Sequence, residues 1–587
     1  MWAPDLDSRS YSPRNRRSPL FQGIRLLLPV CLALICCLWI PVRADQALQD
    51  HVSITLLGTT DLHGNLFPVD YLSNQPANRG VAKIATLIKQ VRSARPNVLL
   101  LDSGDTIQGT PLAYYFARKK TSRPNPTIAA MNALGYNAMA VGNHEFNFGL
   151  DVLWKAKREA RFPMLAANIV SESPSRAFAP YVVQTIAGIR VGIVGFITPG
   201  VPRWEVPRYY QGYRFEPIQD AAKRVIPEVR KQADLLVVIA HSGLEGDPDR
   251  PRRQPPADAE GDIPNENAIL GLADAHPEID VILFGHTHQE LPEKIVNGVL
   301  LAQARNWGQS LARADIEMKR GADGRWSVAS KKSTVLPVTR DVAADPEITR
   351  LVQPYHDEVQ KYLDTPLGSS EKELDGGTGR YEDHPLVDFI HRAQLKAGKA
   401  DVSLATMFIP GARIPAGTVT IRHMFYLYPY ENSLYTVQMS GAQLAGALEH
   451  AAGFFPDWPA QGGHLRLPGY NADNAEGVEY ELDLTQPRGQ RVRGLRFRGQ
   501  PLAPSATLRV AINHYRYAGG GRYRAFEGLP IVYSSKNEVR ELMIAFMKRS
   551  RVLPAAANGN WKILPREAVD ALIRESRPRE PRPATGP

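Results

Sequence analysis

Along the first half of the chain, short apolar runs keep ending in glycine and acidic, amide or imidazole residues. Residues 53–58 (SITLLG) lead into Thr59-Thr60-Asp61-Leu62-His63, and residues 97–101 into Asp102-Ser103-Gly104-Asp105. Residues 136–141 lead into Gly142-Asn143-His144-Glu145, residues 234–240 into His241, and residues 281–284 into Gly285-His286-Thr287-His288. Runs of this length, bounded by glycine and polar residues, predict strands, as do residues 190–196 and 298–307. Between them, Val81, Ile84, Ala85, Leu87, Ile88 and Val91 follow a helical period, and residues 127–134 are also helical. Strand, polar loop and helix in repetition predict an α/β fold. Polar groups just past strand C-termini stand where such sheets place their sites.

The pattern changes after about residue 338. Residues 345–363 show helical periodicity, interrupted at Pro354, and predict a bridging helix. Residues 371–381 are Gly-rich and loop-like. Then come a helix at 384–397, a strand at 401–405, a helix at 440–452 opened by a Ser440 capping box, and a strand at 508–512. The expected organisation is a first domain at 50–338, a linker helix and loop at 339–383, and a second domain at 384–560. A charged, Pro-rich tail at 561–587 is expected to be disordered. Residues 246–264, rich in Pro, Asp and Arg, predict a surface loop.

The N-terminus changes the picture next. Arg9, Arg14, Arg16, Arg17 and Arg25 precede an apolar run at 26–42 that ends in Val42-Arg43-Ala44. This is the form of a secretory signal cut after Ala44, giving an exported protein, periplasmic or extracellular. Left uncleaved, the same run would anchor the chain in a membrane. All three cysteines, Cys31, Cys36 and Cys37, lie in that run. The rest of the chain therefore has no disulfide framework, thiolate metal site or cysteine nucleophile. The net charge of +10 fits a basic leader and tail on a near-neutral body. No nucleic-acid-binding signature accompanies it, so no polymer partner is expected.

The loops collect Asp61, His63, Asp105, Asn143, His241, His286 and His288. Carboxylate, imidazole and amide oxygen suit divalent Mn, Zn, Co or Fe. Seven ligands are too many for one tetrahedral ion but suit two ions sharing a carboxylate. Two such ions, about 3.5–4 Å apart, can hold a hydroxide and clamp a phosphoryl group. His144 adds an imidazole able to move a proton near neutral pH.

This set resembles the calcineurin-like metallophosphoesterases, and within them the two-domain 5′-nucleotidase family, over about residues 52–535. The resemblance implies a four-layer α/β/β/α N-terminal domain and an α+β substrate-binding C-terminal domain joined by a helical linker. It implies that Asp61, His63, Asp105 and His288 hold one metal and Asp105, Asn143, His241 and His286 the other. It implies that His144 protonates the leaving oxygen or stabilises the transition state. The 5′-nucleotidase and UDP-sugar hydrolase branch reads N-H-E-F-D, whereas position 147 here is asparagine. Asn147 can orient His144 by hydrogen bonding but lacks a carboxylate's charge. The N-H-E-F-N-F-G motif is more similar to the 2′,3′-cyclic-nucleotide 2′-phosphodiesterase/3′-nucleotidase branch. In the second domain, Tyr430 and Tyr515 match the family's base-stacking aromatics, beside Gly519 and Gly520. Arg413 sits where the family has a substrate-facing arginine, and Tyr428 is an aromatic of the core or the pocket. The expected activity is hydrolysis of 2′,3′-cyclic and 3′-nucleotides, with a 5′-nucleotidase or UDP-sugar hydrolase as runner-up. From another class, a non-catalytic exported nucleotide-binding protein would have no need of the complete ligand set and His144.

Overall fold

The structure, a computed structural model, describes residues 50–245, 263–459 and 469–576. The expected signal and its cleavage point, most of the 246–264 loop, and the Pro-rich segment 577–587 lie outside the described residues. Within them, no helix is long and apolar enough to cross a membrane.

Two six-stranded sheets carry the first half. In one, His51–Thr59, Val98–Asp102, Ala138–Ala140 and Met164–Leu165 run parallel, with the antiparallel hairpin Ser310–Arg320 and Trp326–Pro337 on the other side of the first strand. In the other, Ile189–Ile197, Leu235–His241, Val281–Phe284 and Val299–Gln303 run parallel between antiparallel edges. Side-chain alternation explains the stacking. Ile54, Leu56, Leu99 and Leu101 face Ile193, Val237, Ile239 and Leu283 in one buried core. Leu57, Leu100 and Met139 face outward into helices Val81–Ala94, Pro111–Arg118 and Pro126–Leu134. Val194, Leu236 and Val238 face helices Ile218–Arg230 and Ile269–Ala275. Helix, sheet, sheet and helix make the four layers expected.

The linker helix runs unbroken from Pro346 to Leu363. Pro354 does not interrupt it, because Ile348, Val352, Tyr355, Val359 and Leu363 bury one continuous stripe on either side of the proline. That stripe packs into the same outer core as helices Val81–Ala94 and Pro111–Arg118, so the helix is part of a layer as well as a connection. Beyond it, a mixed five-stranded sheet is ordered Asn474–Glu476, Val402–Ala405, Thr507–Asn513, Ser433–Ser440 and Ile531–Glu538. The expected helix at 384–397 is Pro385–Gly398, and Ser440 caps Gly441–Ala452 as the capping box predicts. The two halves meet through Arg118 and Glu538 at 2.8 Å, and through Arg422, whose Nη1 donates to the Tyr71 carbonyl at 2.6 Å.

The tail needs correction. Trp561–Leu564 is a strand parallel to Glu479–Asp483, and Arg566–Ser576 is a helix. Ala568, Val569 and Leu572 lie on one helical face and are buried. The prolines and charges of the last residues had masked that short apolar stripe.

One buried carboxylate makes stability depend on pH. Asp388 is buried on helix Pro385–Gly398, and burial, then Asp383 and Glu476, push its carboxyl up to about 7. An unfolded aspartate titrates near about 4. The folded state therefore holds a proton that the unfolded state releases, and its contribution to stability is lost as pH rises from about 4 to about 7. Asp388→Asn keeps an acceptor for the Asn558 amide and removes that loss. The melting temperature of the variant minus that of wild type should rise across this pH interval and level off above it.

Candidate active site

The five loops end at the same edge of the stacked sheets, and their backbones are tightly turned. Asp61, His63, Asp105, His286 and His288 have φ of 49°, 47°, 59°, 80° and 57°. Side chains in this left-handed region cost of order 1–3 kcal/mol each, and such residues concentrate at sites. Cross-loop bonds hold them, with the Asp61 amide donating to the Gly104 carbonyl at 2.9 Å and the His63 amide to the Asp105 carbonyl at 2.9 Å. Close approach also requires Gly142, where an added Cβ would lie 2.3 Å from Asp105 Oδ1.

Glu145 ties two of the loops together. Its buried carboxylate accepts the amides of Gly142, Asp105, Thr106 and Ile107 at 2.7, 2.9, 2.6 and 3.2 Å. Burial first, and Asp105 second, raise its pKa, while these amides oppose the shift.

Asp105 is the centre. His241 Nε2 lies 2.9 Å from its Oδ2, His63 Nε2 and His144 Nε2 each 3.9 Å from the same oxygen, and the His144 amide donates to Oδ1 at 2.8 Å. Burial alone would raise the Asp105 pKa, but His241 and the neighbouring imidazoles hold it well below the usual carboxylate range. Burial also works against charge on His241, yet Asp105, Asp61 and Glu145 outweigh it and lift that imidazole to about 10. Burial lowers His63 to about 4, with Asp105 opposing. Asp61 accepts from the Thr60 hydroxyl at 2.7 Å and has His288 Nε2 at 3.4 Å.

These residues fit divalent cations. Asp61, His63 and His288, and separately Asp105, His241 and His286, converge with one ligand atom each inside 4.8 Å. His241 Nδ1 donates to the Ser103 carbonyl at 2.9 Å, which turns Nε2 toward Asp105; His63 does the same through the Gln108 carbonyl at 3.0 Å. Such outward hydrogen bonds are how ligating histidines are oriented. Asn143 Oδ1 is buried without a hydrogen-bond partner, and it is an atom that a cation would satisfy.

A cavity of about 260 Å³ opens from this centre. Asn143, His144, Asn147 and His286 form one wall, and Phe408, Tyr430, Tyr470 and Tyr515 supply aromatic rings from the second domain. Tyr430 is 42% exposed, whereas Tyr428 is 1% exposed and belongs to the core. Gly520 lies flat against Tyr515, where a Cβ would stand 2.5 Å from the ring. Gly519, at φ 91°, forms the preceding turn, and neither glycine lines the cavity.

Arg413 is not brought to the cavity. Its short strand, Arg413–Ile414, pairs with Leu374–Asp375, and alternation buries Ile414 while turning Arg413 outward to Asp375 at 2.7 Å. Several wall residues were missed from the sequence. Phe408 and Tyr470 follow no motif, Gln108 reaches across to Glu431, and Glu205 reaches Asn147. Glu266 contacts His286 Nε2 at 3.0 Å.

Residues 54–290 match the family model described as calcineurin-like phosphoesterase, and residues 366–528 that described as 5′-nucleotidase, C-terminal domain. The chain is 30% identical to a 2′,3′-cyclic-nucleotide 2′-phosphodiesterase/3′-nucleotidase of Haemophilus influenzae, with 89% of each chain covered. It is 29% identical to the trifunctional nucleotide phosphoesterase protein YfkN of Bacillus subtilis, over 96% of this chain but only 42% of that longer protein. Among solved structures, a Staphylococcus aureus protein crystallised with alpha-ketoglutarate is 25% identical, with a TM-score of 0.76 and coverage of 87% of this chain and 100% of that one.

The Glu145 clamp makes a direct test. Glu145→Gln keeps the shape but turns an NH₂ toward amides that need an acceptor. Each amide left unsatisfied costs about 1–3 kcal/mol. The variant should melt several degrees lower and bind Mn²⁺ more weakly; wild-type melting and binding would mean that the four amides do not depend on this carboxylate.

Proposed function

Because the chain belongs to the calcineurin-like phosphoesterases that carry a 5′-nucleotidase C-terminal domain, we propose that it is an exported hydrolase of nucleotide phosphate esters, acting foremost on 2′,3′-cyclic and 3′-nucleotides. One observation carries this reading. The cavity is lined on one side by Asn143, His286 and His144, beside Asp105, and on the other by Tyr430, Phe408 and Tyr515. A phosphate chemistry and a base-sized aromatic pocket thus share one space.

Asp61, His63, Asp105 and His288 would hold one divalent ion, and Asp105, Asn143, His241 and His286 a second. Ions held there supply positive charge to the phosphoryl oxygens and lower the pKa of water, the usual service of paired divalent metals. His144 Nδ1 is hydrogen-bonded to Asn147 Oδ1, which leaves Nε2 on the side of Asp105 and the cavity. From there it protonates the departing ribose oxygen. Tyr430 and Tyr515 stack on the base, a contact indifferent to base identity and worth about 1–3 kcal/mol per base. The preference for cyclic and 3′ esters rests on the N-H-E-F-N motif, in which Asn147 replaces the aspartate of the 5′-nucleotidase branch.

A panel of 2′,3′-cyclic AMP, 3′-AMP, 5′-AMP, UDP-glucose and bis(p-nitrophenyl) phosphate tests the reading. The first two should have the highest kcat/KM; a maximum at 5′-AMP or UDP-glucose would assign the runner-up branch, and no turnover a binding protein. His144→Ala should lower kcat about 10²–10⁴-fold, the range for general acid–base groups. Tyr430→Ala and Tyr515→Ala should each raise KM for nucleotides about 10-fold, with less effect on the small diester. Equal losses on both substrates would place the base elsewhere.

A further inference from the structure

A histidine that donates a proton must be held in one orientation, and Asn147 can do this only while its own amide is held. The structure has a partner for that amide one step further out. The turn Asn143–Phe146 brings Asn147 back beneath the His144 ring. Asn147 Oδ1 contacts His144 Nδ1, and Asn147 Nδ2 donates to Glu205 Oε1. Glu205 follows the short helix Val201–Trp204, is 5% exposed and lines the same cavity.

Hydrogen-bond bookkeeping fixes the direction of this chain. Glu205 Oε1 accepts from the Asn147 amide, which has one accepting and one donating end. With Nδ2 committed to Glu205, Oδ1 faces the imidazole, and Nδ1 must carry the hydrogen. Nε2 is then the atom turned to the cavity. Arg118 braces the same turn, donating to the Phe148 carbonyl at 2.8 Å and the Asn147 carbonyl at 3.4 Å.

The surroundings hold Glu205 in place. It is 5% exposed, and burial, then Glu431, push its carboxyl well up, so its hold on Asn147 is a hydrogen bond that needs no charge.

We propose that Glu205 is a positioning residue for His144, fixing the Asn147 amide so that its Oδ1 stays on His144 Nδ1. The proton leaves from His144 Nε2, and the Asn147 bond keeps Nδ1–H in place. This rests on the reading of His144 as the proton donor given above.

The test releases the amide. Glu205→Ala should lower kcat about 10–100-fold, the range for outer partners that orient a histidine, with KM nearly unchanged. Asn147→Asp combined with Glu205→Ala presents only acceptor oxygens to Nδ1 and should restore most of the lost kcat. A purely structural Glu205 would not be rescued by a second change at residue 147. Independent of turnover, the ¹⁵N resonances of His144 should report Nδ1–H in wild type and a mixture of tautomers in Glu205→Ala. Wild-type kcat and an unchanged tautomer in Glu205→Ala, or no rescue by the double variant, would overturn the positioning role. His144→Ala at wild-type rate would instead overturn the role of His144 itself, so the two failures are distinguishable.

Discussion

A single buried carboxylate, Asp105, makes the rest of the site necessary. It is 1% exposed, with His241, His63 and His144 directed at one of its oxygens. A charge so placed must be neutralised within a few ångströms. His241, held charged beside it, does this in part, and the unpartnered oxygen of Asn143 marks where a cation would add to it. Four amides wrapped on Glu145 carry a second buried carboxylate into the same region and lock the Asp105 and Asn143 loops at a fixed distance. The left-handed backbone at five ligand positions is the visible cost of this convergence.

The stacked sheets are what make that cost bearable. Two mixed sheets bury apolar faces against each other and against outer helices, so the strand ends cannot drift. The linker helix Pro346–Leu363 belongs to one outer layer and also meets the second domain, which ties the aromatic wall of the cavity to the sheet carrying Asp105. The two walls of the cavity are thereby held in one frame.

Much of this was legible in the residues. Apolar runs ending in Asp61, Asp105, Asn143, His241 and His286 marked the strands and their polar ends, because buried parallel strands have little freedom in composition. What was not legible depended on partners distant in sequence. Arg413 read as a substrate contact until its strand pairing turned it to Asp375. Glu205 has no motif, and only the fold brings it to Asn147. Phe408 and Tyr470 lie in irregular stretches without periodicity. The hairpin Ser310–Arg320 and Trp326–Pro337 escaped notice because its outer strand is largely exposed and mixes polar with apolar residues. Pro354 and the Pro-rich tail misled in the opposite direction, since local breakers yield where a buried stripe continues past them.

The central claim is that Asp105 stands between two divalent ions. Anomalous diffraction from crystals grown with Mn²⁺ measures this most directly. The account predicts two peaks about 3.5–4 Å apart, one beside Asp61, His63 and His288 and the other beside Asn143, His241 and His286, with the Asp105 carboxylate shared between them. A single ion, or two ions neither of which touches Asp105, would contradict it.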